Sequence, residues 1–235
     1  MQKTIVVTGG TKGIGRALLE RFAQAGCRLV TCARSAADLA ELNQQLGRQF
    51  PGLVLHTLAA DLSRAEETRR FADFVLGLGG AIDVLVNNTG AYVPGRLQDE
   101  PAGQLRHMLE VNLLSAYDLT RALLPTLLAQ PAAHIFTLCS TASVMAYPNG
   151  GAYSVAKYAL YGFTKNLREE LKSTNVRVTA VLPGATLTAS WEGVELPPER
   201  FIRAADVAEA IFSAHSLSPQ AVVEELLIRP QLGDL

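Results

Sequence analysis

Short apolar runs alternate with helix-length amphipathic segments along the whole chain. The runs are rich in Val, Ile and Leu and are mostly continuous, as in parallel strands that helices cover on both faces. Seven strands are predicted, at residues 4–9, 28–33, 53–59, 82–88, 134–140, 176–183 and 222–228. Because a helix-length segment separates each strand from the next, the order predicts an α/β fold with a doubly wound parallel sheet.

Local signals predict several helix boundaries and one long connection. Ser35 or Ser63 can cap the helices after the second and third strands. Gly26 can end the first helix, and Pro101 can lie near the start of a long one. The least regular segment, at about 183–204, is rich in Pro and Gly and predicts a lid that could cover a ligand.

The composition favours a globular protein with a small-molecule partner. Hydrophobic residues make up 49% of the chain, and its 235 residues suit a single α/β domain over residues 1–235. The formal net charge is −1, from 21 basic and 22 acidic residues without a basic block, which argues against a nucleic-acid or anionic-membrane partner. The sequence shows no targeting signal or membrane-spanning run, so we expect a cytoplasmic protein.

The cysteines and histidines do not form a pattern typical of a metal site or a disulfide framework. Cys27, Cys32 and Cys139 are odd in number and include no C-x-x-C pair. They fit a reducing compartment, and a nucleophilic role for Cys139 lacks a partner histidine. The four histidines are scattered without the spacing of metal ligands, so no metal is predicted.

A glycine-rich loop directly follows the first predicted strand. In the stretch TGGTKGIG, Gly9, Gly13 and Gly15 have the spacing G-x-x-x-G-x-G and precede an amphipathic helix. Glycines at this point allow a tight turn and let a pyrophosphate approach backbone N–H groups at the positive end of the helix. The position therefore predicts a nucleotide site; the alternative is a tight turn without a ligand.

The end of the second predicted strand indicates which dinucleotide binds. NAD sites usually place an acidic residue there for the 2′-hydroxyl of the adenosine ribose. This chain has Ala33 and Arg34 instead, and Lys12 lies in the glycine turn. Each cation alone could be an ordinary surface charge, but with the missing acid the two favour the 2′-phosphate of NADP(H).

Tyr153 and Lys157 are four residues apart in AYSVAKYAL, a stretch that is predicted to be helical. Side chains at i and i+4 lie on one face of a helix, so both can reach one ligand. A lysine cation beside a phenol favours the ionised form and lowers the tyrosine pKa from its ordinary value of about 10. The pair could thus exchange a proton near neutrality. Taken alone, the spacing favours a half-buried aromatic residue beside a solvated surface charge, and the catalytic interpretation needs a cofactor and a substrate site around the pair.

Taken together, these motifs resemble the short-chain dehydrogenase/reductase family, over nearly all 235 residues. Besides the glycine loop and Y-x-x-x-K, the family motifs are Asp61 in AADLS, NNTG at 87–90, Asn112 in EVNLLSA, Ser140 thirteen residues before Tyr153, and PGATLT at 183–188. Thr89 replaces the usual alanine of N-N-A-G, and Thr186 replaces the usual Val or Ile of the last motif. Each of three motif residues also fits a purely structural role. Asn112 could cap or bridge a helix, Ser140 could hydrogen-bond the local backbone, and Asp61 could be the first residue of a helix. Their order along the chain favours the family.

The resemblance implies a fold and a set of site residues. The fold is a single-domain, Rossmann-like, three-layer α/β/α arrangement with strand order 3-2-1-4-5-6-7 and the ligand near the switch between strands one and four. The implied catalytic residues are Asn112, Ser140, Tyr153 and Lys157. The implied contacts of NADP(H) are Gly9, Thr11, Lys12, Gly13, Ile14, Gly15, Arg34, Asp61, Leu62, Asn88, Gly90, Tyr153, Lys157, Pro183, Gly184, Thr186 and Thr188.

The family also implies a homodimer or homotetramer that pairs two long helices, at about 101–130 and 151–174. Apolar residues of these segments could belong to the core or to the subunit interface, among them Leu113, Leu114, Leu160 and Phe163.

Three stretches are similar to bacterial sepiapterin reductase-like members of the family: CARSAADLAEL, SWEG and VVEELLIRPQLGDL. They suggest Trp191 in the lid as a substrate contact. The implied activity is NADP(H)-dependent reduction of a ketone to an alcohol, with a pterin-type ketone and a 3-oxoacyl thioester as candidate substrates. The alternative is a catalytically silent NADPH-binding protein with an interaction or regulatory role, which would have no need of all four catalytic residues.

Overall fold

A single parallel sheet contains all the strands of the computed structural model, which describes residues 2–188 and 196–235. The strands are β1 (Thr4–Thr8), β2 (Arg28–Ala33), β3 (Leu55–Ala59), β4 (Val84–Asn87), β5 (Ala133–Leu138), β6 (Val176–Pro183) and β7 (Glu225–Ile228). Their order in the sheet is β3-β2-β1-β4-β5-β6-β7, and every neighbouring pair is parallel. The predicted α/β fold and strand order are confirmed.

Seven α-helices connect these strands within the described residues. They are α1 (Gly13–Gln24), α2 (Ala36–Gln49), α3 (Ala65–Gly77), α4 (Gln104–Leu109), α5 (Ser115–Leu128), α6 (Gly151–Leu171) and α7 (Ala204–His215). A π-helical turn, Glu110–Leu114, joins α4 to α5 inside the long helix that the family resemblance implies. Short 3₁₀ turns lie at Thr141–Ser143 and Pro198–Arg200. None of the helices in these ranges combines the length and the hydropathy needed to cross a membrane.

The helices form two layers because successive residues of a strand point to opposite faces of the sheet. On one face, residues of α1, α2 and α7 share a hydrophobic core with Ile5 and Val7 of β1. On the other face, residues of α3, α5 and α6 share a core with Val6 of the same strand. The sheet is buried on both sides, which explains why the strand sequences are continuous apolar runs.

Two of the boundary predictions are confirmed and one is wrong. Ser35 caps α2, since its hydroxyl oxygen accepts a hydrogen bond from the N–H of Asp38 at 3.1 Å. Gly26 follows the end of α1 with a left-handed φ of 72°. Ser63 does not cap α3. The N-cap position of α3 is Arg64, so Ser63 lies one residue too early to cap the helix; its N–H and hydroxyl donate to the carboxylate of Asp61.

A cluster of buried polar residues lies at the amino-terminal edge of the sheet. His134 is fully buried, and its Nε2 atom is 2.8 Å from the hydroxyl oxygen of Thr179. The rings of His134 and His215 have centroids 5.9 Å apart. Burial and nearby cations lower the pKa of His134 to about 2 and that of His215 to about 4. Both rings are therefore neutral at pH 7.

The folded protein should lose stability in mild acid because of these histidines. Above the unfolded-state pKa of about 6.5, the rings are neutral in both states and contribute no pH dependence. Below it, the unfolded chain binds protons that the folded His134 does not, so the free energy of unfolding falls. His134 should contribute about 1.4 kcal/mol per pH unit between about pH 6 and pH 4.

Urea unfolding at several pH values measures this slope. A His134→Asn variant should show a shallower slope than the parent. His107→Asn alters an exposed histidine and should keep the parental slope. The same slope in all three proteins would show that His134 is not the source of the acid sensitivity.

Candidate active site

A cleft of about 470 Å³ opens at the carboxyl-terminal edge of the sheet. Its lining includes residues at or after the ends of β4, β5 and β6 and residues of α1 and α6. Parallel strands all end at this edge, so residues distant in sequence converge there. All four predicted catalytic residues line the cleft: Asn112, Ser140, Tyr153 and Lys157.

Lys157 places a buried cation beside Tyr153 on α6. Its Nζ atom lies 5.8 Å from the centre of the Tyr153 ring and donates a hydrogen bond to the carbonyl oxygen of Leu138 at 2.7 Å. The residue is only 6% exposed, and burial lowers the pKa of its ammonium group to about 8. Lysine is almost never buried to this degree without a partner. The alternative that Lys157 is an ordinary surface charge is therefore excluded.

The expected lowering of the tyrosine pKa is not found. Burial raises the pKa of Tyr153 to about 12, although a hydrogen bond with the hydroxyl of Ser140 acts in the opposite direction. The loss of water around the phenol dominates because the ammonium group of Lys157 lies over the ring and is bonded to Leu138. At neutral pH the hydroxyl of Tyr153 is therefore protonated and can act as a donor.

Ser140 is held in place by a short 3₁₀ turn at the end of β5. Its hydroxyl oxygen accepts a hydrogen bond from the N–H of Ala142 at 3.1 Å. Its own N–H donates to the hydroxyl of the fully buried Ser143, also at 3.1 Å. This reciprocal arrangement is a capping box. Sequence reasoning missed Ser143, although the serine spacing S-x-x-S could have indicated it.

Asn112 lies in the π-helical turn and is fully buried. Its side-chain amide donates to the carbonyl oxygens of Ala91 and Met108, both at 3.1 Å, and accepts from the N–H of Ala91 at 3.2 Å. Gly90 allows this approach, because a Cβ there would lie 2.8 Å from Oδ1 of Asn112. The helix-bridging alternative for Asn112 is thus realised, and it ties the segment after β4 to the wall of the cleft.

The glycine loop between β1 and α1 has the geometry that a dinucleotide requires. Gly9 and Gly13 have φ values of 69° and 54°, in the left-handed region that favours glycine. A Cβ at Gly15 would lie 2.2 Å from the carbonyl oxygen of Gly9. The start of α1 has no side-chain cap and no acidic residue in its first turn. Its backbone N–H groups therefore fit an anion such as a pyrophosphate.

Asn88 connects this loop to the end of β4. Its amide donates to the carbonyl oxygens of Thr8 and Gly9, at 2.8 and 3.2 Å. The backbone N–H groups of Asn88 and Thr89 both donate to the hydroxyl of Thr8, at 2.9 and 2.8 Å. Thr89 takes part through its backbone N–H. A threonine in place of the family's usual alanine therefore leaves these contacts intact.

The predicted phosphate cations lie on the surface beside the start of α2. Arg34 and Lys12 are both exposed. The Nζ atom of Lys12 is 3.9 Å from the Oδ2 atom of Asp38. The other carboxylate oxygen, Oδ1, accepts a hydrogen bond from the hydroxyl of Ser35 at 2.9 Å. Sequence reasoning missed this acid, although Ser35 and Asp38 have the spacing of a helix cap and an acidic first turn. Lys12 is thus already paired.

Asp61 and Leu62, the predicted adenine contacts, follow β3 at the same edge. Partial burial would raise the pKa of Asp61, but hydrogen bonds from Ser63 outweigh this effect and, with Arg34 nearby, lower it. The carboxylate is therefore ionised at neutral pH. These residues lie outside the lining of the cleft but at the ends of neighbouring strands, as do Gly9, Thr11, Lys12, Gly13, Gly15 and Arg34.

The segment after β6 lines another part of the cleft. Four of its predicted cofactor contacts line the cavity: Pro183, Gly184, Thr186 and Thr188. Thr186 replaces the usual Val or Ile, and its hydroxyl donates to the carbonyl oxygen of Gly184 at 3.0 Å, so the added polar group is satisfied locally. A Cβ at Gly13 would lie 2.9 Å from a methyl carbon of Thr188, which brings this segment against the glycine loop. Trp191 lies outside the described residues.

Several residues of the cleft were not predicted from the sequence: Tyr92, Pro94, Met145, Tyr147 and Asp234. The ring of Tyr92 meets Tyr153 edge-on, with centroids 4.9 Å apart. Tyr92 comes two residues after the NNTG motif, and this position could have indicated it. Asp234 lies in the C-terminal stretch that resembles sepiapterin reductase-like members, but that stretch alone did not indicate a position at the cleft.

Cys139 reaches the cleft, but burial raises the pKa of its thiol to about 11, so it is not a thiolate at neutral pH. Over residues 2–188 and 196–235, no group of His, Cys, Asp and Glu side chains is arranged to hold a metal ion.

The sheet order, the glycine loop and the cleft define a Rossmann-like α/β protein with a dinucleotide-type site. The family model of short chain dehydrogenases matches residues 3–197, so the chain belongs to this family of oxidoreductases. It is 31% identical over 243 residues to a sepiapterin reductase of Chlorobaculum tepidum, with 100% of this chain and 99% of that protein covered.

Solved structures give the same family. An alcohol dehydrogenase from the archaeon Thermococcus sibiricus, complexed with 5-hydroxy-NADP, matches with a TM-score of 0.91 and 29% identity, over 98% of this chain and 97% of that one. The L-sorbose reductase of Gluconobacter frateurii, complexed with NADPH and L-sorbose, matches with a TM-score of 0.87 and 26% identity, over 97% and 95% of the two chains.

Proposed function

We propose that this protein is an NADP(H)-dependent oxidoreductase that reduces the carbonyl group of a ketone to an alcohol. The observation that carries the proposal is the convergence of Ser140, Tyr153 and Lys157 in one cleft that reaches the glycine loop. The similar proteins support it, because two are complexes with NADPH or 5-hydroxy-NADP and one is a sepiapterin reductase.

The residues along the sheet edge fit the parts of a dinucleotide. The N–H groups of the loop at residues 9–15 would hold the pyrophosphate, and Asp61 with Leu62 would contact the adenine. Asn88, Gly90 and the segment at 183–188 would surround the nicotinamide half. When bound, the dinucleotide supplies the hydride that reaches the carbonyl carbon.

Tyr153 is the proton donor in this mechanism. Negative charge grows on the carbonyl oxygen during reduction, and a positioned acid lowers the barrier by donating a proton there. The raised pKa of Tyr153 keeps its hydroxyl protonated at neutral pH. Ser140, which the 3₁₀ turn holds in place, hydrogen-bonds the same oxygen and fixes its position.

Lys157 and Asn112 complete the proton chemistry. The ammonium group of Lys157, 5.8 Å from the Tyr153 ring centre, stabilises the phenolate that donation leaves behind, and it can also hold the nicotinamide ribose. Asn112 bridges Ala91 and Met108 and would support the water path that returns a proton to Tyr153.

The preference for NADP(H) depends mainly on Arg34. No carboxylate stands at Ala33 or Arg34 to accept a bond from a ribose hydroxyl. Lys12 already lies near the carboxylate of Asp38, so a 2′-phosphate would compete with that acid for it. Arg34 is exposed and can engage the phosphate through its planar guanidinium group.

The lining of the cleft favours a flat, uncharged substrate of the pterin type over a 3-oxoacyl thioester. Tyr92 and Tyr147 contribute aromatic rings, and Met145 adds apolar surface. Aromatic rings stack well on planar groups. In the described part of the lining, the one cation is Lys157, which belongs to the catalytic set, so the anionic carrier of a thioester gains no partner there.

The chain forms one domain in this proposal, and the segment at 183–204 is its substrate lid. The protein works in the reducing environment of the cytoplasm. The approach of Thr188 to Gly13 supports a lid that reaches the glycine loop. The three cysteines, which are free and buried, fit a reducing compartment.

Replacing Tyr153 by phenylalanine should abolish most of the turnover. The change removes only the hydroxyl, so folding and NADPH binding should persist while kcat falls by about 10² to 10⁴. Tyr158→Phe alters a tyrosine of the same helix that is 45% exposed, and it should leave kcat unchanged. Steady-state NADPH oxidation and NADPH titration measure the two effects. Parental turnover in folded Tyr153→Phe protein would mean that another group donates the proton.

Replacing Arg34 by alanine should weaken NADPH binding by about 1.5 to 3 kcal/mol and leave NADH binding nearly unchanged. The reason is that only NADPH carries the 2′-phosphate. Arg48→Ala removes an exposed arginine elsewhere on α2 and is the matched control. Calorimetric titration with both dinucleotides measures the difference. Equal losses for the two would contradict a phosphate contact.

We expect a homodimer or homotetramer in solution. Leu114 and Val155 are 44% and 45% exposed on the long helices, whereas Leu160 is buried in the core and Leu113 and Phe163 are partly buried against it. The exposed apolar residues are therefore the ones available to a second subunit. Light scattering at micromolar concentration should give at least twice the monomer mass of 25.2 kDa, and a monomer would refute the assembly.

A further inference from the structure

The catalytic helix α6 begins without a side-chain cap of its own. Its N-cap residue is Gly150, which has no side chain to offer, and Gly151 follows with a φ of 42°. The first N–H groups of a helix have no intrahelical partner, so this end needs an acceptor from elsewhere. Tyr153 is in the first turn, so whatever fixes this end also directs the catalytic hydroxyl.

The acceptor comes from Glu100, 52 residues earlier in the chain. Its Oε1 atom accepts a hydrogen bond from the N–H of Ala152 at 2.7 Å. Ala152 is buried and immediately precedes Tyr153. A partly buried carboxylate at the positive end of a helix is favourable, and bonds of an N–H to an ionised acceptor are stronger than neutral ones.

The close approach of Glu100 depends on the absence of a side chain at Gly151. A Cβ at Gly151 would lie 2.1 Å from Oε1 of Glu100 and 2.5 Å from the carbonyl oxygen of Gly95. The N–H of Gly95 donates to the carbonyl oxygen of Asn149 at 2.9 Å, which is a second bond between the two segments. The segment at 91–100 is therefore closely apposed to the start of α6.

We propose that Glu100 is a positioning residue for Tyr153, through a latch between residues 91–100 and the start of α6. The latch consists of the Glu100 bond, the Gly95 bond and the edge-on contact of Tyr92 with Tyr153. The same segment contributes Tyr92 to the wall of the cleft, so the latch sets the distance between the substrate wall and the proton donor. A misplacement of about 1 Å can cost about 100-fold in rate.

The test compares Glu100→Ala, which removes the acceptor, with Glu100→Gln, whose amide oxygen can accept the same bond. Asp99→Ala removes the neighbouring, exposed carboxylate and is the matched control. Three quantities are measured for each protein: kcat for carbonyl reduction, Kd for NADPH, and the rate of amide hydrogen exchange at Ala152 by NMR. The kcat comparison rests on the proposed function, whereas the exchange rate does not.

In Glu100→Ala, kcat should fall by about 10- to 100-fold and exchange at Ala152 should accelerate by at least about 10-fold, while Kd for NADPH stays near the parental value. Glu100→Gln and Asp99→Ala should remain close to the parent in all three. This split distinguishes positioning from a general loss of structure, which would also weaken NADPH binding.

Unchanged kcat or unchanged exchange in Glu100→Ala would overturn the proposal, as would a Glu100→Gln protein as impaired as the alanine variant. If Glu100→Ala does not fold, Glu100→Gln decides, since parental values support the acceptor role and their loss refutes it. If the parent protein reduces no carbonyl, the proposed function fails, and the exchange rates alone then confirm or overturn the latch.

Discussion

A buried ammonium group is the constraint around which the cleft is organised. Lys157 carries its charge almost out of solvent and keeps a hydrogen bond of 2.7 Å to the carbonyl oxygen of Leu138. A charge in such a place is unfavourable unless its surroundings are arranged for it. Gly90 lies beside this group: a Cβ there would make an ordinary contact of 3.5 Å with Nζ but would come within 2.8 Å of the Asn112 amide oxygen, which is too close. Gly90 after β4, Asn112 in the π-helical turn and Lys157 on α6 therefore pack together around the buried ammonium group.

The same loss of water explains the pKa values of Tyr153 and Lys157. It lowers the pKa of Lys157 to about 8 and raises that of Tyr153 to about 12. In both residues the shift favours the uncharged form of the side chain. The tyrosine is consequently a neutral donor in the resting cleft. In the proposed reduction, a phenolate forms only when this hydroxyl has donated its proton to the substrate, and it then lies beside the ammonium group of Lys157.

Much of the fold could be predicted from the sequence, because strands buried on both faces leave continuous apolar runs and each strand is followed by a helix. The motif residues Asn112, Ser140, Tyr153 and Lys157 could be located because they occur in a recognisable order along the chain; the structure brings them to one cleft, and their catalytic roles stay a prediction. The remaining features depend on distances between segments. Glu100 meets Ala152 across 52 residues of sequence. Lys12 meets Asp38 although α1 and β2 lie between them in the sequence. Ser63 lies one residue before the N-cap position of α3, which Arg64 occupies, and only the folded turn fixes where that helix begins.

The pKa of Tyr153 could not be predicted from the i, i+4 spacing for a similar reason. Spacing places Lys157 on the same helical face but does not say whether its cation points to the phenol oxygen or to a carbonyl group. It also does not say how much water the surrounding helices remove. Both quantities come from tertiary packing, and here they reverse the sign of the expected shift.

The central claim is that this cleft reduces carbonyl groups with NADPH. The most direct measurement is the loss of NADPH absorbance with the purified protein and a panel of ketones, aldehydes, pterins and acyl thioesters. The account predicts oxidation with at least one planar ketone, faster with NADPH than with NADH. Tight binding of NADPH without oxidation across the whole panel would contradict it and would favour a silent nucleotide-binding protein.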